Sequence, residues 1–355
     1  MSSLPLAPAH SSRDPIDAVH AAAYQRLKSE VTAAGLLDRS LSYYLPLIIA
    51  AFTGYFLSAW AILVTDGYFS LSLACLGFVL TTVQLAGLMH DAGHRAVFRS
   101  ARFNNLLGLA TTAAIGMVFP SWVLRHNQHH AHPNQEDMDP DMKIPFLVLN
   151  EADFAAKDSV QRFFSRWQAY YYYPLGALVS FSNRLGSISY FWQRRTWPTL
   201  ARLLLYLPAI VALFPGPFLV FPLEKAVFVF LLVHISTGIY LASCFAPNHK
   251  GMPSVSRDTA VSFLEQQVRT SRNVRGGLLT EFLLVGLNHQ VEHHLFPACP
   301  RNKLKRLGPY VRRMCDEQAL SYTQVSFLRT NRILVAHLHR VSRPRRAPEP
   351  AVAIT

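Results

Sequence analysis

Seven histidines fall into three short clusters: His90 and His94 in HDAGH, His126, His129 and His130 in HNQHH, and His293 and His294 at the end of NHQVEHH. Residues three or four apart share one face of a helix, so each cluster can aim imidazoles at one point. A neutral imidazole is a borderline ligand that suits iron, zinc, copper and nickel, and histidine alone does not name the metal. The number of ligands says more. One zinc takes three or four protein ligands and would leave most of the seven unused. Two metals of higher coordination number would use them all and keep positions for oxygen, which makes a dinuclear site the economical arrangement.

The surrounding sequence sets where these imidazoles work. The chain has 355 residues, is 51% hydrophobic and only 15% charged, and is more apolar than an average soluble domain. Its apolar residues are concentrated in four nearly charge-free runs, 45–64, 68–89, 200–221 and 226–246. Each is long enough for the roughly 20 residues of helix that cross a bilayer core. The first two are joined by a turn at Asp66 and Gly67, the second two by a stretch from Pro215 to Lys225. The expected fold is all-α and membrane-integral, with four transmembrane helices in two hairpins and a helical cap that carries the histidines.

Positive charge orients the hairpins. Their turns are nearly free of Lys and Arg, whereas Arg95, Arg99, Arg102, Arg125, Lys143, Arg162 and Arg166 lie between the hairpins and Arg301, Lys303, Lys305, Arg306, Arg312 and Arg313 follow them. The histidine clusters and both termini are therefore expected on the cytoplasmic side. The formal charge of +13 and pI of about 9.8 fit a membrane-surface belt. No nucleic-acid-binding module accompanies the charge, so a nucleic-acid partner is not expected. Residues 1–40 are polar and lack the pattern of a signal peptide, which leaves the first span to target the chain. Cys75, Cys244, Cys299 and Cys315 form no CxxC pair, and neither disulfides nor a zinc ribbon are expected.

Two segments between the hairpins are apolar without the form of a span. Residues 104–118 are too short to cross comfortably and lead through Pro120 and Trp122 into HNQHH, as an interfacial or re-entrant helix would. Residues 170–191 open on four tyrosines and are interrupted by Asn183 and Arg184. A fifth crossing there would send the third cluster to the opposite side, so an interfacial position is expected.

Together HDAGH, HNQHHAHPN and NHQVEHHLFP resemble the three histidine boxes of membrane fatty acid desaturases, over most of the chain from AGLLDRS at residues 34–40 to LFP at 295–297. Gln290 stands where many members have histidine, a variant similar to the front-end type. The resemblance implies a di-iron centre at the cytoplasmic ends of a four-helix bundle, with His90, His94, His126, His129, His130, His293 and His294 as ligands. It also points to His249, in FAPNHKG, as an additional ligand, and leaves Gln290 to bind weakly through oxygen, to act through water or to shape the site. The implied reaction inserts a C=C bond into an acyl chain carried on CoA or lipid, using O2 and two electrons. HPGG, the mark of a fused cytochrome b5 domain, does not occur in the chain. Electrons are then expected from a separate ferredoxin or reductase system.

On this reading residues 1–40 form a cytoplasmic segment, 41–320 the desaturase domain, 321–342 a C-terminal extension and 343–355 a disordered tail. The acidic residues Glu136, Asp137, Asp139 and Asp141 are expected to fix a loop or to accept hydrogen bonds from ligand imidazoles. For Asp91 and Glu292 solvated or structural roles are expected. Arg269, Arg272 and Arg275 suit either a headgroup clamp or an ordinary basic rim. His289 is turned about 100° from Gln290 on a helix, at the edge of the site. His132 is expected to be structural. His234 is expected to be a buried residue with a polar partner, roughly 22 Å from His249 at 1.5 Å per residue. His10, His20, His337 and His339 are expected at the surface. Three other classes compete: a membrane di-iron hydroxylase or ketolase, a histidine-rich metal transporter, and a zinc membrane hydrolase. Transport pathways place polar ligands near the bilayer midplane, and these runs carry almost none.

Overall fold

The computed structural model describes residues 15–144, 146–193 and 196–343, and they are predominantly helical. In chain order the helices are α1 (Pro15–Ala33), α2 (Leu41–Val64), α3 (Tyr68–Gly93), α4 (Ala101–Ile115), α5 (Phe119–Ala131), α6 (Glu151–Ala156), α7 (Ser159–Ser165), α8 (Gln168–Gly176), α9 (Val179–Gln193), α10 (Trp197–Leu213), α11 (Gly216–Val220) and α12 (Leu223–His249). They continue with α13 (Phe263–Arg269), α14 (Leu278–Leu283), α15 (Gln290–Leu295), α16 (Arg301–Glu317) and α17 (Phe327–Val341). Strands β1 (Asn273–Arg275) and β2 (Gln324–Ser326) form a short parallel pair with Asn273 opposite Gln324.

Three of these helices, α2, α3 and α12, are long and apolar enough to cross a membrane. Helix α3 is the central one: α2, α4 and α12 pack around it, and Leu71, Cys75, Val83, Leu85 and Leu88 on it are buried while α2 keeps Ile49, Phe56 and Trp60 exposed. The segments that lead into α3 and α12 meet, with Lys225 Nζ donating to Thr65 O at 2.7 Å and the Tyr68 hydroxyl to Glu224 at 2.6 Å. Helices α3 and α12 thus start side by side.

The remaining expected span departs from a single long helix. Over residues 200–221 the helix stops at Leu213 and resumes only as the five-residue α11. Pro215 is the reason, because its ring nitrogen has no N–H to donate to the carbonyl of Val211 four residues back. Helices α4 and α5 meet at an angle of 109°, which leaves them either one broken span or a re-entrant pair. Their outer ends come back to one place. The start of α4 is tied to Phe98 by Asn104, whose Nδ2 donates to Phe98 O at 2.7 Å, and the end of α5 brings His126 Nε2 to 2.9 Å from His94 Nε2. Both ends of the pair therefore lie at the same end of α3.

Residues 170–191, expected at the interface, instead run down into the bundle as α8 and α9 beside α12. The contact is close: a Cβ on Gly238 would sit 2.3 Å from Ala177 O. Lower down, Ser180 Oγ lies 3.1 Å from His234 Nδ1. Arg184 is buried there and donates to Ile115 O at 2.9 Å, closing the carbonyl end of α4. The aromatic start of the segment concealed this, since small residues on both helices are what permit the approach.

A second core at the histidine end joins α1, α13, α15 and α16 through Leu27, Val31, Leu264, Val268, Val291, Leu295, Leu304 and Leu307. Helix α16 suits it, with Leu304, Leu307, Val311 and Met314 turned inward and Lys305, Arg306, Arg312 and Arg313 outward. Helix α1 closes over α15, where the Tyr24 hydroxyl donates to Leu295 O at 2.9 Å and its ring stacks on Phe296. His20, expected at the surface, is buried in this contact with Nδ1 2.6 Å from Ser262 Oγ. His337 is half-buried and lies 2.9 Å from Leu149 O, while His339 is exposed as expected. His10 and the 343–355 tail, apart from Arg343, lie outside the described residues. Gly238→Ala should cost about 1–3 kcal/mol through overpacking against Ala177. It should lower the thermal unfolding midpoint in detergent, and an unchanged midpoint would contradict the close approach of α8 and α12.

Candidate metal centre

Four segments bring imidazoles to one place. Helix α3 delivers His90 in its last turn and His94 at its C-terminal cap, after which Arg95 takes a left-handed φ of 58° and turns the chain away. Helix α5, with Pro120 in its first turn, carries His126, His129 and His130. Helix α12 ends on His249. Helix α15 presents Gln290, His293 and His294 at positions i, i+3 and i+4 of one short face.

The ring nitrogens form two groups. His90, His94, His126, His130 and His293 make one, and His129, His249 and His294 the other, with ligand atoms within 4.8 Å of one another in each. In the five-imidazole group, His94 and His126 have their Nε2 atoms 2.9 Å apart, and His130 and His293 3.1 Å. In the second group the Nε2 atoms of His249 and His294 are 3.1 Å apart. These spacings suit a shared cation: with imidazole–metal bonds of about 2.1 Å, neighbouring ligands stand about 3.0 Å apart and opposite ones about 4.2 Å. His90 Nε2 supports the same fit, because it is buried with no hydrogen-bond partner and is turned into the group.

Hydrogen bonds on the far side of the rings fix their direction. His129 Nδ1 faces Asp139 at 3.0 Å, His249 Nδ1 faces Thr270 O at 3.0 Å, His294 Nδ1 faces Gln267 Oε1 at 2.8 Å, and His90 Nδ1 faces Asp91 at 3.2 Å. An acceptor at Nδ1 holds the proton there and leaves the Nε2 lone pair for a metal. The acceptors are themselves held. Asp139 also accepts from the Asn134 and Asp141 amides, each at 2.8 Å. Asp91 accepts from the Tyr44 hydroxyl at 2.8 Å and from Arg301 Nε at 2.6 Å, which ties α2 and α16 to the first cluster. Glu292 accepts from Tyr322 at 2.6 Å and Asn273 at 2.7 Å, locking α15 onto the strand pair.

Burial at His129 is outweighed by the Asp139 hydrogen bond and charge, which raise that imidazole, but at His126 and His130 burial favours the neutral ring. Burial pushes His293 and His294 well below the ordinary histidine range, and neighbouring imidazoles add to the shift: His90 and His94 for the former, His249 and His129 for the latter. Asp139 goes the other way. Burial alone would raise it, but the His129 hydrogen bond and charge and the Lys250 charge hold it at about 2.

All seven box histidines and His249 fall within the two groups. Gln290 lies at their edge with Nε2 2.9 Å from His249 Nε2. His289 joins neither group, and its Nε2 lies 3.8 Å from Glu281. His132 bonds to Gln135 at 2.9 Å, and His234 has the polar partners expected of it, Ser180 and Leu213 O. A solvated role for Asp91 or Glu292 is excluded by their burial. Arg272 is no headgroup clamp: it is wholly buried and donates to Pro247 O and Lys250 O at the end of α12. Arg269 is paired with Glu265 on the surface, and Arg275 is exposed. Sequence reasoning missed Tyr44, Gln267, Thr270 and Arg301, none of which stands in a cluster or carries a spacing signal.

Residues 68–326 match the family model described as fatty acid desaturase. The chain is 32% identical over 249 residues to the acyl-lipid 8-desaturase of Rebecca salina, covering 67% of this chain and 56% of that protein. It is 26% identical over 342 residues to the acyl-lipid (9-3)-desaturase of Borago officinalis, covering 90% and 74%. With fatty acid desaturase 3 of Homo sapiens it shares 27% over 339 residues, covering 91% and 73%. Against these three the chain spans between 56% and 74% of the relative's length. If Asp139 orients His129, Asp139→Ala should weaken metal binding by about 10–100-fold while leaving the number bound at saturation unchanged. Competition with a chelator measures this, and wild-type affinity would contradict the role.

Proposed function

This chain belongs to the fatty acid desaturase family, and we propose that it desaturates an acyl chain at two iron ions held by its eight clustered imidazoles. His90, His94, His126, His130 and His293 would hold one iron and His129, His249 and His294 the other. The observation that carries this reading is the pair of adjoining imidazole groups, buried and with Nδ1 acceptors behind the rings. An alkyl C–H bond offers no acidic proton and no leaving group, so side-chain acid–base or nucleophilic chemistry cannot start the reaction. Iron activating O2 supplies the oxidising power that the protein side chains lack. The overall change removes two hydrogens from adjacent CH2 groups, and with two electrons and two protons from outside O2 leaves as two waters.

The chain's own residues hold and shield. Asp139, Thr270, Gln267 and Asp91 keep each ring they touch in one tautomer, and the α1, α13, α15 and α16 core closes over the third cluster against bulk water. The substrate is an acyl group carried on lipid or CoA, and the acyl-lipid names of two relatives favour the lipid. Electrons come from a separate carrier of ferredoxin or reductase type.

We further propose an integral membrane protein with four crossings, α2, α3, α10 with α11, and α12, and with the histidine clusters and both termini cytoplasmic. The paired ends of α3 and α12 support this. They start together at Tyr68 and Glu224 and finish together at the imidazoles, so the intervening chain must return once to the far side. The Lys and Arg outside the hairpin turns support the orientation.

Expression with an electron donor in a host lacking its own desaturases tests the reaction. Mass spectrometry should show acyl chains short of two hydrogens, and oxygenated chains alone would turn the assignment to a hydroxylase. His94→Ala, His129→Ala and His293→Ala should each abolish this product while the protein still inserts into membranes. Retained turnover in all three would remove the metal-site argument.

A further inference from the structure

Gln290 stands in a ligand's place, and its neighbours decide which end of its amide faces the metal groups. Asn248, wholly buried near the end of α12, has Nδ2 3.0 Å from Cys244 O, 3.0 Å from Leu287 O and 3.2 Å from Gln290 Oε1. Two backbone carbonyls need donors there, so the Asn248 amide cannot be turned to offer them its oxygen. Its NH2 group therefore also faces Gln290, which answers with Oε1. The Gln290 NH2 is left pointing the opposite way, with Nε2 2.9 Å from His249 Nε2.

An amide NH2 donates hydrogen bonds and offers no lone pair to a metal. Resting on the metal-site reading above, we propose that Gln290 is a hydrogen-bond donor to the His129, His249 and His294 group and not one of its ligands. The three rings are already turned inward through Nε2 by Asp139, Thr270 and Gln267. Once a metal occupies those lone pairs, the Gln290 NH2 loses the acceptor that His249 provides and needs another. A coordination place left free beside the amide supplies one, filled by an oxygen or nitrogen atom of a small molecule such as water. The two groups are then unequal. Five imidazoles crowd the first metal, while the second has three protein ligands and an open position, the pattern of sites that bind a small reactant.

The test uses the full chain in detergent, loaded with cobalt as a spectroscopic substitute, and azide as the small-molecule probe. Metal per chain is measured in the wild type, Gln290→Leu and His249→Ala, and azide binding is followed through the cobalt absorption bands. Gln290→Leu should keep two metals per chain and bind azide roughly tenfold more weakly, as loss of one hydrogen bond to a charged acceptor predicts. His249→Ala should fall to one. A fall to one metal in Gln290→Leu as well would overturn the proposal. If Gln290→Leu does not fold, Gln290→Glu decides: a new carboxylate ligand should change the cobalt bands and block azide, whereas an unchanged spectrum with azide still bound would show that no open position lies beside residue 290 and would overturn the proposal. A wild type that binds neither iron nor cobalt would overturn the metal-site reading itself, an outcome distinct from those above.

Discussion

Buried imidazoles with their lone pairs turned toward one another are the arrangement on which the rest of this structure depends. Such a cluster gains nothing from packing, since each nitrogen left without a partner in a water-poor interior costs about 1–3 kcal/mol. It persists because the other nitrogen of a ring is held from behind. Asp139, Thr270 and Gln267 do this for the three-imidazole group and Asp91 for His90. A metal would meet rings whose direction is already set, and the loss of freedom that binding would otherwise require would be much reduced.

The membrane helices follow from that demand. Imidazoles from α3, α5, α12 and α15 can converge only if the ends of α3 and α12 coincide, and the meeting of Lys225 with Thr65 and of Tyr68 with Glu224 fixes the opposite ends. The buried Asp91–Arg301 pair links the first cluster to α16. Two charges withdrawn from water contribute little net stability, yet removing either partner strands the other at a cost of about 3–5 kcal/mol. The pair is therefore better understood as fixing register than as strengthening the fold. Arg272 acts similarly on α12, using its guanidinium to hold the carbonyls that Pro247 and Lys250 present beside His249.

Much of this was legible in the sequence, and the boundary of legibility has a physical origin. The box histidines announce themselves because ligands on a helix must recur at three or four residues, and α2, α3 and α12 because a bilayer demands a long uninterrupted apolar run. His249 entered only through the family resemblance. The third apolar run was visible as composition but not as a helix broken at Pro215. Residues 170–191 looked interfacial because their tyrosines outweighed Gly176 and Ala177, whose small size matters only once Gly238 of α12 is opposite. Tyr44, Thr270, Gln267 and Arg301 carry no pattern at all. Each is defined by a partner distant in the chain, with Arg301 lying 210 positions from Asp91.

The central claim is that the imidazoles form two unlike metal sites in one desaturase. Mössbauer spectroscopy of the iron-loaded protein, taken with iron per chain, tests it most directly. The account predicts two irons per chain and two quadrupole doublets of equal area, one for the five-imidazole group and one for the three-imidazole group. One iron per chain with a single doublet would contradict it.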